Sequence, residues 1–317
     1  MRKVAAMNKY KPEGLLIKQV QNYEYISSRV GLEKALERQI ILEAPVTLCD
    51  HNFNLHVELG GGIRGLIPRD EVEYSQEGDG VKDIAILTRV GKPVCFKVCG
   101  FTLSSAGETV AILSRRAAQR ECVECYLKDL RPGDIIPAKV THLESFGAFV
   151  DIGCGRISLL SIDCISVSRI SHPSARLTVG DQIYTVVRSI DERGRIFVSQ
   201  RELLGSWEEN VALFSEGQTV RGIIRSIESY GVFIELAPNL AGLAEYRDDV
   251  RTGQQAAVFI KSIIPDKMKI KLIIIDADGA AEVPTPITYF VDTATVTHID
   301  HWKYSPDISQ KIIETRF

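Results

Sequence analysis

The chain has 317 residues, of which 45% are hydrophobic and 25% charged, and this length favours two or three domains over one small core. No apolar run approaches the about 20 residues that cross a bilayer, the first residues do not form a secretory signal, and the last four, ETRF, match no retention or lipidation motif. The net charge of −3 argues against a strongly basic nucleic-acid binder. The odd count of seven cysteines argues against a disulfide framework, so we expect a cytoplasmic protein with reduced thiols.

The N-terminal part of the chain predicts a helix followed by a first small β domain. Residues 1–39 are predicted to be an extension with one helix, because SSRVGLEKALERQ (27–39) has a serine cap and helix-forming residues. Residues 40–116 carry several short segments of alternating hydrophobicity. Within them, GGGIRG (60–65) satisfies Gly-x-Gly-x-x-Gly, but a strand follows in place of the helix that a dinucleotide site requires. The glycine run therefore predicts a hairpin turn.

The remainder of the chain repeats one pattern. VTHLESFGAFVDIG (140–153) returns as IIRSIESYGVFIELA (223–237). Short strands with period-two alternation predict one closed barrel over 131–204, the second β domain, and another over 215–276, the third. Residues 117–130 and 205–214 are predicted helical linkers. Residues 277–317 are predicted to be a C-terminal extension, with a strand or hairpin near Tyr289 and Val291 and then extended chain.

Each repeat carries two aromatic residues around one glycine. Phe146 and Phe149 of the second β domain correspond to Tyr230 and Phe233 of the third. Because Val140 and its alternating neighbours already supply the buried side, we expect the rings to be exposed and the glycine to let another chain approach closely. Exposed rings stack on nucleobases, at about 1–3 kcal/mol per base.

The two repeats are close to neutral. Residues 131–204 hold nine Lys and Arg against eight Asp and Glu, and residues 215–276 hold eight of each. We therefore expect stacking and local arrangement to supply the affinity for a ligand, with modest binding per domain that is raised by linking the domains.

At these residues the chain resembles the RNA-binding domain first described in protein S1 of the small ribosomal subunit. The second β domain follows the family pattern in FGAFVDI, LTVGDQI and DERGRIFVS, and the third follows it more loosely in YGVFIEL and AGLAEY. The resemblance covers about residues 40–276, and the repeated domains are similar to short bacterial members of the family. It implies a mainly β fold with three tandem five-stranded OB-fold barrels, joined by short helices and followed by a β or extended tail.

The resemblance also implies which residues contact RNA. The aspartate and arginine of the closing strands fall on Asp191 and Arg195, whereas in the third β domain Lys269 holds the arginine position and Pro265 the aspartate position. The family histidine is absent, and its place holds Ser161, Glu245 and, in the first β domain, Pro68. Lys139 should point outward, because its two neighbours in the strand point inward. The predicted RNA-binding residues are Phe146, Phe149, Lys139, Asp191, Arg195, Tyr230, Phe233, Arg225 and Lys269.

The sequence shows no pattern typical of catalysis or of a metal site. It has no Ser/His/Asp order, no His-Glu-x-x-His motif and no Walker loop. CVEC (122–125) is a single Cys-x-x-Cys, whereas a closed zinc site needs four ligands, and HIDH (298–301) is similarly incomplete. We therefore predict a protein that is not an enzyme and that has no metal and no cofactor. Trp207 and Trp302 are predicted to anchor a linker helix and the tail.

Together these features predict a protein of the translation apparatus that binds single-stranded RNA, including mRNA. The second and third β domains would bind by stacking and by Arg and Lys contacts to the RNA backbone. The first β domain lacks the ring pair, so residues 1–116 are predicted to dock on the small ribosomal subunit or on another protein. Two alternatives are an RNA-decay accessory that presents substrate to a nuclease, and a protein-interaction adapter without RNA binding. No membrane partner is expected.

Overall fold

The computed structural model describes residues 2–75, 81–104, 106–278 and 287–317, and these residues form a mainly β protein. The parts of the predicted domains at 76–80, at 105 and at 279–286 lie outside the described residues. The chain divides into two compact units, Met1–Leu130 with Asp151–Ile157, and Arg131–Val150 with Ser158–Phe317. No helix in the described part of the chain has both the length and the apolar composition needed to span a bilayer.

Three helices precede the first sheet. They are α1 (Arg2–Lys9), α2 (Val20–Ile26) and α3 (Arg29–Arg38). The predicted helix within 27–39 is thus present, and Ser28 caps it by accepting a hydrogen bond from the Gly31 N–H at 3.1 Å. Asn22 of α2 exchanges two 2.8 Å hydrogen bonds with the backbone of Glu43, which ties the helices to the sheet.

The first β domain is a five-stranded sheet. Its strands are β1 (Leu42–Cys49), β2 (Leu55–Glu58), β3 (Arg64–Ile67), β4 (Pro93–Leu103) and β5 (Thr109–Ser114), in the order β1-β2-β3-β5-β4. The short helix α4 (Asp83–Leu87) precedes β4. The glycine run occupies the antiparallel turn between β2 and β3, as predicted. Phe96 and Leu113 are fully buried in the core of the domain. The predicted linker at 117–130 begins as α5 (Arg115–Cys125), which starts at the Ser114 cap.

The second and third β domains both belong to the second compact unit, apart from a few residues at the β7–β8 turn. The strands of the second are β6 (Ile135–Glu144), β7 (Gly147–Asp151), β8 (Ile157–Ser161), β9 (Gln182–Ile190) and β10 (Ile196–Ser199). Those of the third are β11 (Thr219–Glu228), β12 (Gly231–Ala237), β13 (Leu240–Ala244), β14 (Gln255–Ile264) and β15 (Lys269–Asp278). Within each sheet the strand order is the same as in the first β domain. The third sheet is a closed barrel, since β11 pairs with both β12 and β14 and the parallel β13–β15 pair completes the circuit.

The connection between these two domains holds one short helix within the predicted linker at 205–214. A 3-10 turn at Arg201–Leu203 is followed by Gly205, whose φ of +83° ends the helical course. The chain then enters α6 (Trp207–Val211) through a capping box, in which Ser206 and Glu209 each accept a hydrogen bond from the backbone of the other.

The C-terminal segment also differs from its prediction, because there is no strand at Tyr289–Thr293 within the described range 287–317. Tyr289 and Val291 pack against the core of the second β domain, and this packing explains their alternation. The chain then turns where the Asp292 carboxylate accepts hydrogen bonds from the Ala294 N–H and the Thr295 hydroxyl. The strands of the tail come later, as the antiparallel pair β16 (His301–Lys303) and β17 (Glu314–Arg316).

Both tryptophans act as anchors, as predicted. Trp207 of α6 and Trp302 of β16 are 2% and 8% exposed, and both lie in the core of the third β domain. The tail is therefore an integral part of the second compact unit.

Candidate nucleic-acid interface

In the second β domain, two aromatic rings form a ledge at the start of β7, which we call the second ring ledge (Phe146 and Phe149). The Phe146 side chain is 53% exposed, whereas Phe149 is half-buried. Their ring centroids are 6.0 Å apart and their planes meet at 88°, an edge-to-face arrangement. The inner ring therefore supports the outer one, which remains more than half exposed.

Gly147, between the two rings, has a structural role. A Cβ atom at this position would lie 2.5 Å from the carbonyl oxygen of Leu160 and 2.9 Å from the Cα of Ser161. The backbone N–H of Ile162 also donates a 2.9 Å hydrogen bond to the carbonyl of Phe146. The chain that approaches this glycine is thus the neighbouring strand β8 of the same domain.

A third ring extends this ledge, and sequence reasoning missed it. His142 of β6 is exposed and stacks on Phe149, with ring centroids 6.3 Å apart and an interplanar angle of 23°. Its Nε2 lies 2.7 Å from the Glu144 carboxylate. The repeat does not predict this ring, because the position of the third β domain that corresponds to His142 holds Ser226.

The turn between β9 and β10 holds a cation in a defined position. The Nε of Arg195 donates to Asp191 at 2.7 Å, and the same carboxylate accepts hydrogen bonds from the backbone N–H groups of Arg193 and Arg195. The pKa of Asp191 lies below its ordinary value, chiefly because of the backbone hydrogen bond from Arg195 and further because of its guanidinium. The Arg195 side chain remains 67% exposed. The turn therefore presents a fixed guanidinium to solvent.

The third β domain repeats the rings. Tyr230 is 67% exposed and meets the half-buried Phe233 edge-to-face, with centroids 6.0 Å apart at 89°; we call this pair the third ring ledge. Gly231 again allows a close approach, since a Cβ there would lie 2.5 Å from the carbonyl oxygen of Ala244. Lys269 is exposed at the start of β15, after a turn that has Pro265 where the second domain has Asp191.

The remaining two predicted residues lie in different environments. Lys139 is half-buried between the buried Ala138 and Val140, so it occupies the outward side of β6 as predicted. Arg225 is only 9% exposed, and it forms a two-pronged ion pair with Glu235, at 2.7 and 3.2 Å. Arg225 is thus placed in an interior ion pair.

Among the described residues, no hydrogen bond or ring contact joins the second ring ledge to the Asp191–Arg195 pair.

The first β domain holds one ring, Phe53, near the place that the ring ledges occupy in the other two domains. Phe53 is half-buried in a turn with φ of +62°, and the guanidinium of Arg69 lies 4.9 Å from its ring centroid. This ring is therefore partly covered by a cation of its own domain.

The cysteines and histidines do not assemble a metal site in the described part of the chain. No group of three or more His, Cys, Asp or Glu side chains there has suitable geometry. All seven cysteines are free thiols, and in the CVEC segment Cys122 is buried whereas Cys125 is exposed. His298 instead contacts Asp134 at 2.6 Å, a contact that attaches the tail to the second β domain.

Comparison with known proteins identifies part of this fold. The family model for the S1 RNA binding domain matches residues 129–201. Small ribosomal subunit protein bS1 of Staphylococcus aureus (strain COL) is 28% identical over 265 residues, which cover 77% of this chain and 63% of that protein. The bS1 protein of Staphylococcus epidermidis is 28% identical over 276 residues, covering 80% of this chain and 64% of that protein. This chain therefore matches a little under two thirds of the length of these relatives.

A solved multidomain protein with nucleic acid binding domains, from Streptococcus pneumoniae TIGR4, is 15% identical and covers 75% of this chain and 73% of its own. Its TM-score against this chain is 0.24. The segment that matches the S1 RNA binding domain model, residues 129–201, contains the second ring ledge and the Asp191–Arg195 turn, in a chain similar to small ribosomal subunit protein bS1.

Proposed function

We propose that this protein binds single-stranded RNA, including mRNA, as a cytoplasmic part of the translation apparatus, and that it is not an enzyme. In this proposal the three sheets are tandem OB-fold S1 domains joined by short helices. Their common strand order supports the assignment. Bases stack on the second and third ring ledges, while Arg195, Lys139 and Lys269 contact the RNA backbone.

One observation carries the proposal: the same exposed ring beside a supporting ring occurs twice in one compact unit. Phe146 and Tyr230 are more than half exposed, although burial would contribute about 1.5–3 kcal/mol for a large apolar side chain. Two sites joined in one unit raise the effective concentration of RNA at the second site once the first is occupied.

Electrostatics supports the same reading. Asp191 holds the exposed guanidinium of Arg195 through a hydrogen bond and an ion pair, and a guanidinium suits phosphate oxygens because its donors form a planar fork. We assign Asp191 a positioning role toward Arg195. Arg225 would act by stabilising the third β domain through Glu235, with no direct RNA contact.

The first β domain is proposed to associate with the small ribosomal subunit through residues 1–116. Its ring near the place of the ledges, Phe53, lies beneath Arg69, and among the described residues no exposed ring pair is found there. The bS1 relatives are named as proteins of that subunit, and this name supports the proposed association.

The stacking mechanism can be tested with the double variant Phe146→Ala/Phe149→Ala and labelled oligouridine. We expect binding at low salt to weaken by about 2–4 kcal/mol, the contribution of two stacked bases. Tyr23→Ala is a matched control, since Tyr23 is 66% exposed on α2 and lies far along the chain from both ledges. Equal affinity of the double variant and the wild type would refute the mechanism.

Co-sedimentation tests the place of the protein in translation. We expect the wild-type protein to sediment with small ribosomal subunits and to remain bound after the free mRNA has been removed by nuclease. Co-purification with a nuclease in place of ribosomal particles would favour the RNA-decay alternative. Binding to ribosomal proteins without any affinity for oligouridine would favour the adapter.

A further inference from the structure

A cleft of about 650 Å³ lies between the outer face of the second β domain and the C-terminal strand β17. Ser161 of β8 and Phe197 of β10 line one side, while Arg316 of β17 lines the other. The volume falls within the range of about 300–1,000 Å³ that is typical of ligand sites. The tail, which the family match at residues 129–201 does not include, therefore supplies a wall of this cleft.

The lining of the cleft is cationic. Three arginines (Arg188, Arg201 and Arg316) face one carboxylate, Glu314. Glu314 is itself engaged, since its oxygens lie 3.0 Å from His301 and 3.0 Å from the guanidinium of Arg316. Arg201 is likewise paired with Glu202 at 3.2 Å and Arg188 with Asp163 at 3.7 Å, but neither of these two carboxylates lines the cleft. Guanidinium groups that line a cleft suit phosphate, because each group offers paired N–H donors.

The cleft also has an aromatic wall. Phe197 is half-buried and lies opposite Leu159 in the parallel β8–β10 pair. A ring beside several guanidinium groups is the combination that single-stranded nucleic acid requires, since the base stacks while the phosphate is neutralised.

The strand β8 connects the cleft to the second ring ledge. Ser161, which lines the cleft, has its Cα within 2.9 Å of the place where a side chain on Gly147 would begin. The next residue, Ile162, donates its backbone N–H to the carbonyl of Phe146 at 2.9 Å. A strand of RNA that leaves Phe146 along β8 thus reaches Ser161 and then the cleft.

We propose that this cleft binds the next nucleotides of the RNA strand that stacks on the second ring ledge, and that the C-terminal tail contributes Arg316 to that site. The inference rests on the proposed function and extends it, because it assigns RNA contacts to the tail. Arg201 holds the tail in place, since its guanidinium donates to the Thr315 hydroxyl at 3.4 Å. The site exists only when β17 is docked on the second β domain.

The test compares Arg316→Ala with Lys311→Ala. Both variants remove one positive charge from the tail, but only Arg316 lines the cleft. Its side chain is 76% exposed, so its removal leaves no buried cavity, and thermal unfolding should match the wild type. Binding of oligouridines of about 4 and about 16 nucleotides, the limits of the site size of one such fold, is measured by fluorescence anisotropy over a range of salt.

For the long oligonucleotide, Arg316→Ala should lower the slope of log affinity against log salt by about 0.7, the value for one phosphate contact with a single strand. The short oligonucleotide should bind Arg316→Ala as it binds the wild type, and Lys311→Ala should leave the affinity for both unchanged. Phe197→Leu, which keeps an apolar side chain but removes the ring, should weaken binding of the long oligonucleotide about fivefold or more.

Identical salt slopes for Arg316→Ala and Lys311→Ala would overturn the role of the cleft. If Phe146→Ala/Phe149→Ala still lost its binding in that case, the proposed function would stand without the tail site. A second result would also overturn the inference: Arg316→Ala abolishes binding of free uridine monophosphate but leaves the affinity for the long oligonucleotide unchanged. The cleft would then be a small-molecule site.

Discussion

Replacing Glu235 with glutamine should weaken the packing between the second and third β domains. Glu235 on β12 is 4% exposed and accepts hydrogen bonds from two guanidinium groups. One belongs to Arg225 on the neighbouring strand β11, and the other to Arg176, which comes from the second β domain. The glutamate is thus the common partner of two arginines from different domains.

The size of the effect follows from the burial of the three side chains. Arg176 and Arg225 are 8% and 9% exposed, so solvent screens their interaction with Glu235 only weakly. Removing one partner of a buried ion pair costs about 3–5 kcal/mol, because the remaining charge is left without compensation. This is a large part of the about 5–15 kcal/mol that separates folded and unfolded states of a typical domain.

Urea unfolding of the full chain, followed by tryptophan fluorescence, measures this effect, since Trp207 and Trp302 lie in the core of the third β domain. We expect the midpoint for Glu235→Gln to fall by roughly 1–2 M. Glu228→Gln is the matched control, because Glu228 is exposed at the end of β11 and should change stability by less than about 0.5 kcal/mol. If Glu235→Gln and Glu228→Gln unfold at the same urea concentration, the argument from burial is wrong.

Three further substitutions test other parts of the structure. Gly147→Ala should destabilise the protein by about 1–3 kcal/mol in thermal unfolding, because the added Cβ would meet the β8 backbone. Gly100→Ala is the control and should be neutral, because a Cβ built there has no atom of another part of the chain within 4 Å. Trp302→Ala should lower the free energy of unfolding in urea by about 3–5 kcal/mol, because a large buried side chain is removed. Trp302→Phe should lower it clearly less, because the indole N–H has no hydrogen-bond partner in the described part of the chain, and equal losses for the two variants would contradict this. Arg195→Ala should lower the salt slope of oligouridine binding by about 0.7, and an unchanged slope would remove Arg195 from the RNA contacts.

The ring ledges could be predicted from the sequence because the information for them is local. The repeat places Phe146 and Tyr230 at equivalent positions, and period-two alternation sends the neighbouring residues into the core. An aromatic residue that is not one of the alternate, inward-facing positions of a strand is expected on the surface, and Phe146 and Tyr230 are both exposed. The strand order also follows from the repetition, since each domain has the same sequence of short strands.

Arg225 could not be placed from its local sequence. It is predicted to contact RNA, whereas its side chain and that of Arg176, which is 49 residues earlier in the chain, converge on the buried Glu235. The cleft is a similar case, because Arg188 and Arg316 are brought together only when the tail folds back onto the second β domain. Contacts between distant segments leave no periodic signal in either segment.

The tail completes the hydrophobic cores of two domains made before it. Tyr289 and Phe317 pack on the core of the second β domain, while Trp302 and Tyr304 lie in that of the third. At synthesis rates of about 5–20 residues per second, roughly 6–24 s pass between Ser199, the last residue of β10, and Phe317. A newly made chain therefore spends that interval with an unfinished second domain, whose arginine-lined cleft gains its second wall only when β17 has been made.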